Sequence, residues 1–160
     1  MSLLDSLYKE IILDHYKRPR NRGVLDPHTV RHEGLNPSCG DELELFLLVE
    51  GGTVKDVSFV GEGCAISQAS ASMMTKALKG LSLAEAQALA DDFKAMIHGQ
   101  PPADKLGDLK LLQGISKLHA RVKCATLPWV TLVEALESPE VAGRDQTGTS
   151  YDEPADKRAD

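Results

Sequence analysis

The spacing of hydrophobic residues in the first part of the chain predicts a helix. The stripe at three- and four-residue intervals is formed by Leu4, Leu7, Tyr8, Ile11 and His15. This spacing is typical of an amphipathic helix, which we expect over residues 3–17. Lys17 suits the C-terminal end of such a helix, and Pro19 cannot continue it.

The hydrophobic period then changes from helical to alternating, which predicts a β-hairpin. One face of a strand over residues 43–50 carries Leu43, Leu45, Leu47 and Val49. Gly51 and Gly52 provide a two-residue turn, because glycine adopts the positive φ angles that such turns require. Residues Val54–Val60 form the returning strand, and a third strand is expected near Thr29–Gly34.

Helical spacing returns in the second half of the chain. A helix stripe after the hairpin contains Ile66, Ala69, Ser70, Met73 and Ala77. Ser82–Glu85 matches a capping box, which opens a helix that reaches about His98. A short helix over Lys105–Gln113 and a last helix over Lys123–Glu137 follow. Together these elements predict an α+β fold, a small antiparallel sheet of about three strands with helices packed on one face.

Length and charge narrow the class of protein. The 160 residues fit one domain, which we expect over residues 1–138, followed by a disordered acidic tail over residues 139–160. The net charge of −6 disfavours nucleic-acid binding. No apolar run is long enough to span a membrane, and the N-terminus does not resemble a secretory signal. We therefore expect a cytoplasmic protein that is a monomer or a weak dimer.

The segment after the first helix is strongly basic. Residues 17–22 contain Lys17, Arg18, Arg20 and Arg22. Two interpretations stay open. These cations can end the helix and lie in solvent, or they can form a docking patch for an acidic partner surface.

The three cysteines, Cys39, Cys64 and Cys124, are too few and too far apart for a disulfide framework. Cys39 lies in a turn before a strand, Cys64 at a strand-to-helix junction, and Cys124 near a helix start, to judge from the position of Pro128. Helix N-termini stabilise thiolates, the form that binds metals. With Asp41 the cysteines make an S₃O set that Zn²⁺ accepts in a tetrahedron. The alternative is that each cysteine is simply a small buried residue.

Four segments carry a family resemblance: "NPSCGD", "GEGCAISQASAS", "ARVKCATLPW" and "ILDHYKRPRNRG". They resemble segments of the SufU/IscU-type iron–sulfur cluster assembly proteins, which are NifU N-terminal-like. The resemblance extends over about residues 4–136 and implies an IscU/SufU-like fold. It also implies that Cys39, Asp41, Cys64 and Cys124 are the zinc ligands.

The resemblance is closer to the SufU branch. Lys123 stands where IscU proteins have a histidine before the third cysteine, and "GQPPADKLGDLKLLQG" resembles the SufU insertion. A SufU-like protein is a sulfurtransferase-like acceptor and carrier rather than a stand-alone enzyme. Cys39 would take persulfide sulfur from a PLP-dependent cysteine desulfurase of the SufS type, with Cys124 as the second choice, and sulfur would pass to a downstream cluster scaffold. Release of Cys39 would follow if a partner histidine displaced it from the metal.

Arg121, three residues before Cys124, is either a surface cation or a functional residue that supports the reacting thiolate or persulfide or contacts the desulfurase. Two other functions stay open. In the first, the same four ligands carry a transient [2Fe–2S] cluster, and the protein is a scaffold that transfers it to apo-proteins. In the second, Cys124 and His119 act as a thiol enzyme without a metal.

Overall fold

The computed structural model describes residues 3–38 and 40–141, and the side chains from residue 8 onward within those ranges. The elements in chain order are α1 (Leu3–Lys17), β1 (Val30–Asn36), β2 (Asp41–Glu50), β3 (Thr53–Glu62), α2 (Ala65–Leu78), α3 (Leu83–Ile97), a 3₁₀ stretch (Asp104–Lys117), a 3₁₀ turn (His119–Arg121) and α4 (Val122–Leu136). In this described part, no helix has the length and apolar character that a bilayer crossing requires.

The three strands form one antiparallel sheet in the order β1-β2-β3. Residues 37–40 connect β1 to β2, and the strand ends on either side of them, Asn36 and Asp41, are paired in register. Gly51 and Gly52 make the turn between β2 and β3 with φ angles of 59° and 74°, as the sequence predicted. The third strand, expected near Thr29–Gly34, is β1.

One face of this sheet is buried under the helices. The residues on that face are fully or almost fully buried: Leu43, Leu45, Leu47, Val49, Val54, Val57 and Phe59. Helix α4 packs against β1 and β2, and α2 packs against β3. The predicted α+β class, with about three antiparallel strands and helices on one face, is confirmed.

Helix α2 is the central element of the helical layer. The sequence predicted a single apolar stripe, but the helix is buried on nearly every side, including its polar residues Ser67, Gln68, Ser70, Ser72 and Thr75. The prediction from the hydrophobic pattern underestimated the burial of α2, because such a pattern counts serine and threonine as polar residues. Small side chains let neighbouring elements approach, and their hydroxyl groups find partners inside the protein.

Two hydroxyl groups of α2 show how this works. The Ser70 hydroxyl donates to the carbonyl of Ala125 in α4 at 2.7 Å and accepts from the indole nitrogen of Trp129 at 3.1 Å. The Trp129 ring then stacks on Phe93 of α3, with centroids 4.5 Å apart. One buried hydroxyl therefore fixes the position of α4 relative to α2 and α3.

The other boundaries follow the sequence closely, with one clear difference. Ser82 and Glu85 form the predicted capping box at the start of α3. The predicted short helix over Lys105–Gln113 is instead a longer 3₁₀ stretch, interrupted at Gly107, where φ is 56°. The domain boundary expected at residue 138 stays a prediction; Val141, just beyond it, is buried. Residues 142–160, most of the expected acidic tail, lie outside the described residues.

The basic segment after α1 is held against the sheet and α2. Arg18 and Arg20 both pair with Asp14, at 2.7 and 2.8 Å, and together, Arg20 most strongly, they lower the pKa of that carboxyl. Arg22 donates to the carbonyl of Gly61 at 2.6 Å. Three of the four cations in this segment therefore have partners within the chain, which favours a structural role over a docking patch.

His15 of α1 makes a buried hydrogen bond with Ser72 of α2. Its side chain is 4% exposed, and its Nδ1 lies 2.7 Å from the Ser72 hydroxyl, which also accepts from the backbone N–H of Arg20. Because that hydroxyl accepts from Arg20, it is placed to donate to a neutral imidazole. Burial, and next the charge of Arg20, lower the pKa of His15 from 6.5 to about 4.

We predict that His15 makes the fold sensitive to mild acid. The unfolded chain protonates this residue near its ordinary pKa of 6.5, whereas the folded chain resists protonation down to about 4. The stabilisation that comes from keeping His15 neutral is therefore fully present above a pH of about 6.5 and is lost progressively as the pH falls toward about 4. Between about pH 7 and about pH 5, we expect the unfolding free energy to fall by about 2 kcal/mol. Urea unfolding at both pH values measures the loss. A His15→Asn variant, which keeps an acceptor for Ser72, should lose much less, and an equal loss in both proteins would contradict the prediction.

Candidate metal centre

Three chain segments converge at one end of the sheet. Asp41 begins β2, Cys64 directly precedes α2, and Cys124 lies in the first turn of α4. One ligand atom from each lies within 4.8 Å of the others. Tetrahedral ligands of one zinc ion are roughly 3.5–4 Å apart, so the three side chains form a cluster that could hold a metal ion with little adjustment.

Both described cysteines are thiols at helix N-termini, as the sequence predicted. Cys64 is the N-cap of α2, and its sulfur accepts from the backbone N–H of Ser67 at 3.4 Å. Cys124 is fully buried in the first turn of α4. The N-terminal backbone N–H groups and the dipoles of two helices therefore act on the same small volume, where they favour negatively charged sulfur.

The carboxylate of Asp41 is 1% exposed and divides its two oxygens between two tasks. Its Oδ1 accepts from the backbone N–H of Cys64 at 3.0 Å, which fixes β2 to the start of α2. Its Oδ2 is buried and has no hydrogen-bond partner among the described residues. A buried oxygen without a partner is costly unless a ligand uses it. Two thiols beside such an oxygen match the donor set of a borderline-soft divalent ion.

Gly63 makes this arrangement possible, and the sequence did not reveal how. A Cβ atom at this position would lie 2.5 Å from Asp41 Oδ1 and 2.5 Å from the Ser67 hydroxyl oxygen. The carboxylate therefore occupies the space that a side chain of residue 63 would need. The glycine before Cys64 was visible as a motif position, but nothing in the sequence indicated that Asp41 lies against it.

The other predicted site residues differ in how far the structure describes them. Cys39, the predicted sulfur acceptor and fourth ligand, lies outside the described residues, two positions before Asp41 in the chain. Arg121 and His119 are exposed in the 3₁₀ turn that leads into α4, and Lys123 is exposed in the first turn of α4. The supporting role of Arg121 stays a prediction.

Comparison with known proteins assigns the chain to a family. The model of the NifU-like N terminal domain family matches residues 7–125. The chain therefore belongs to the NifU-like N-terminal domain family, which confirms the SufU/IscU-type resemblance of its cysteine segments.

Individual relatives agree with this assignment. The zinc-dependent sulfurtransferase SufU of Bacillus subtilis (strain 168) is 47% identical over 139 residues, 86% of this chain and 94% of that protein. The iron–sulfur cluster assembly scaffold protein IscU of Streptococcus pyogenes serotype M1 is 43% identical, over 86% of this chain and 87% of that protein. A crystal structure from Fervidobacterium islandicum AW-1, described as a candidate SUF-system scaffold protein, has a TM-score of 0.78 at 36% identity and covers 82% of this chain and 98% of its own.

We predict that Gly63→Ala damages the metal centre. The added methyl group forces the Asp41 carboxylate or Ser67 to move, so the bond from Asp41 to the N–H of Cys64 weakens. We expect a loss of about 1–3 kcal/mol in unfolding free energy and weaker metal retention. Urea unfolding and competition with a metal chelator measure the two effects.

The control for this variant is Gly114→Ala. The atoms nearest to a Cβ at Gly114 belong to the ring of Tyr8, at 3.9 Å, which is an ordinary contact. It should therefore leave metal retention unchanged. Equal metal retention in the two variants would show that Gly63 has no special relation to the centre.

Proposed function

We propose that this protein is a zinc-dependent sulfur acceptor in iron–sulfur cluster assembly, which takes persulfide sulfur from a SufS-type cysteine desulfurase. The observation that carries the proposal is the Asp41, Cys64 and Cys124 cluster, with its unpartnered carboxylate oxygen. The name of the Bacillus subtilis relative, a zinc-dependent sulfurtransferase, supports the same function. A cluster scaffold would then receive the sulfur.

The donor atoms support zinc as the metal. Two thiolates and one carboxylate leave one position of a tetrahedron, and Cys39 is the residue that we propose for it. Zinc would hold these thiols in the deprotonated form and protect them from oxidation. Asp41 is the hardest donor in the set, and its Oδ1 already has a partner in the N–H of Cys64. We propose that this hydrogen bond keeps the Asp41 carboxylate in position when the other ligands rearrange.

The sulfur transfer that we propose is an exchange at a persulfide. The thiolate of Cys39 attacks the terminal sulfur of the desulfurase persulfide, and a new S–S bond forms on Cys39. The S–S bond of the desulfurase persulfide breaks, and the desulfurase cysteine leaves as a thiolate. One sulfur atom with its proton moves between the proteins, and the exchange involves no net oxidation or reduction.

A Cys39→Ala variant tests this role. Without the accepting thiolate, we expect the protein to stop stimulating desulfurase turnover, so that the rate falls to that of the desulfurase alone. Elemental analysis of the same variant should find zinc that is reduced or more easily lost. The matched control is Ser38→Ala, because Ser38 is exposed and directly precedes Cys39 in the sequence. Normal stimulation by the Cys39→Ala protein would refute the proposal.

A second candidate function is that of a scaffold on which a [2Fe–2S] cluster is assembled and then transferred. The Streptococcus pyogenes relative, an iron–sulfur cluster assembly scaffold protein by name, favours it. The same donor atoms would then hold iron. Anaerobic reconstitution with iron and sulfide separates the two functions. A coloured cluster that passes to an apo-ferredoxin would favour the scaffold, whereas retained zinc and no bound iron would favour the sulfur acceptor.

A further inference from the structure

A cavity of about 180 Å³ lies between α1, α2 and the 3₁₀ stretch. Its apolar walls are formed by Met73 and Ala77 of α2 and by Leu106 and Leu109 of the 3₁₀ stretch. Met73 lies roughly 14 Å along the helix axis from Cys64, so the cavity is separate from the metal centre. An apolar cavity of about 150 Å³ can hold benzene, so this volume suits a molecule of roughly seven or eight non-hydrogen atoms.

The buried imidazole of His15 also lines this cavity and provides a hydrogen-bond donor. Its Nδ1 lies 2.7 Å from the Ser72 hydroxyl, which accepts from the backbone N–H of Arg20. That hydroxyl therefore donates its own hydrogen to Nδ1, and the proton of the neutral ring is on Nε2. Because Nδ1 is turned toward Ser72, the edge of the ring that carries Nε2 is the one left to face the cavity. Ser72 is the hydrogen-bond partner that the ring has among the described residues, so the Nε2–H group is available to an acceptor.

Two opposite charges lie at the mouth of the cavity. Lys76 extends from α2 and Asp108 from the 3₁₀ stretch, and both residues are exposed. Burial is the largest cause of the lowered pKa of His15, but Lys76 also lowers that pKa and Asp108 raises it, so both charges lie close to the ring. Within the part of the chain that the structure describes, neither charge has an ion-pair partner within 4.0 Å. An ammonium and a carboxylate on different elements, beside an apolar cavity, are complementary to a small ligand that carries both charges.

We propose that this cavity binds a free α-amino acid with a small aliphatic side chain. The carboxylate of the amino acid accepts from Lys76 and from the Nε2–H group of His15, and its ammonium group pairs with Asp108. Its side chain lies against the apolar walls, as is usual in a site where a few polar groups fix the orientation of a small ligand. Valine has the size that the volume allows. The inference is independent of the proposed sulfur-acceptor function, because none of these residues belongs to the metal centre.

Titration of the intact chain with L-valine, followed in ¹H–¹⁵N NMR spectra, tests the inference. We expect a dissociation constant of about 1 mM, which is within the range that so small a ligand reaches. The backbone signals of His15, Met73 and Leu109 should shift, whereas those of Cys64 and Cys124 should not. Two analogues of valine each lack one charge, since 3-methylbutanoate has no ammonium group and 2-methylpropylamine has no carboxylate. Each analogue should bind about fivefold more weakly than valine, the effect of losing a partly exposed ion pair.

Variants of the two charged residues test the same contacts from the side of the protein. Asp108→Asn and Lys76→Gln each remove one charge at an exposed position, so we expect the fold to be kept and valine binding to weaken about fivefold. The matched controls are Asp104→Asn, at an exposed aspartate of the same 3₁₀ stretch, and Lys79→Gln, at an exposed lysine directly after α2. Neither control residue lines the cavity, so both controls should bind valine as the wild type does.

Each outcome of these titrations supports or overturns the inference. Binding that weakens with both analogues and with both charge variants, but not with the two controls, supports it. Spectra that stay unchanged at valine concentrations up to about 20 mM would overturn it. Equal affinities for valine and its analogues, or for the charge variants and their controls, would mean that apolar contact alone holds the ligand, and would overturn it as well. Signal changes confined to residues away from the cavity would have the same consequence.

Discussion

The burial of α2 on almost every side is the constraint on which the rest of the structure depends. A buried helix must provide partners for its polar side chains within the protein. Ser70 meets this requirement through α4, and Ser72 meets it through His15 of α1 and the backbone of Arg20. The hydroxyl groups that look like interruptions in the hydrophobic pattern thus determine where the neighbouring elements lie. The position of Cys64 at the start of this helix is fixed by the same contacts.

Against this background, the unpaired groups at the end of the sheet stand out. Elsewhere, buried hydroxyls such as those of Ser70 and Ser72 are paired, but Asn36 and Asp41 each retain an unpaired atom side by side. Proteins tolerate such local deficits where a ligand completes the site. The buried packing of the helical layer offsets their cost to stability, and the layer brings two helix N-termini to the same place. In this small domain, the helical layer therefore provides the stability, and the end of the sheet beside it provides the reactive groups.

Much of this architecture could be predicted from the sequence. Some patterns depend only on residues close together in the sequence and can be read from it directly. They are the alternation from Leu43 to Val49, the glycine pair after it and the capping box of α3. The helix-start positions of Cys64 and Cys124 were also visible. Contacts between distant segments were not: Gly63 shows its importance only when Asp41 lies against it. The 3₁₀ geometry of Asp104–Lys117 likewise depends on tertiary packing that no hydrophobic period encodes.

The segment that follows α1 has a consequence for the behaviour of the protein in solution. Asn21 and Gly23 exchange backbone hydrogen bonds with Phe59, so this segment occupies the outer edge of β3. An exposed edge is a template on which a second chain can add a strand. Removing the first 23 residues would uncover that edge together with the buried surface of α2. The shortened chain would be expected to aggregate, even though every residue of the metal centre remained in place.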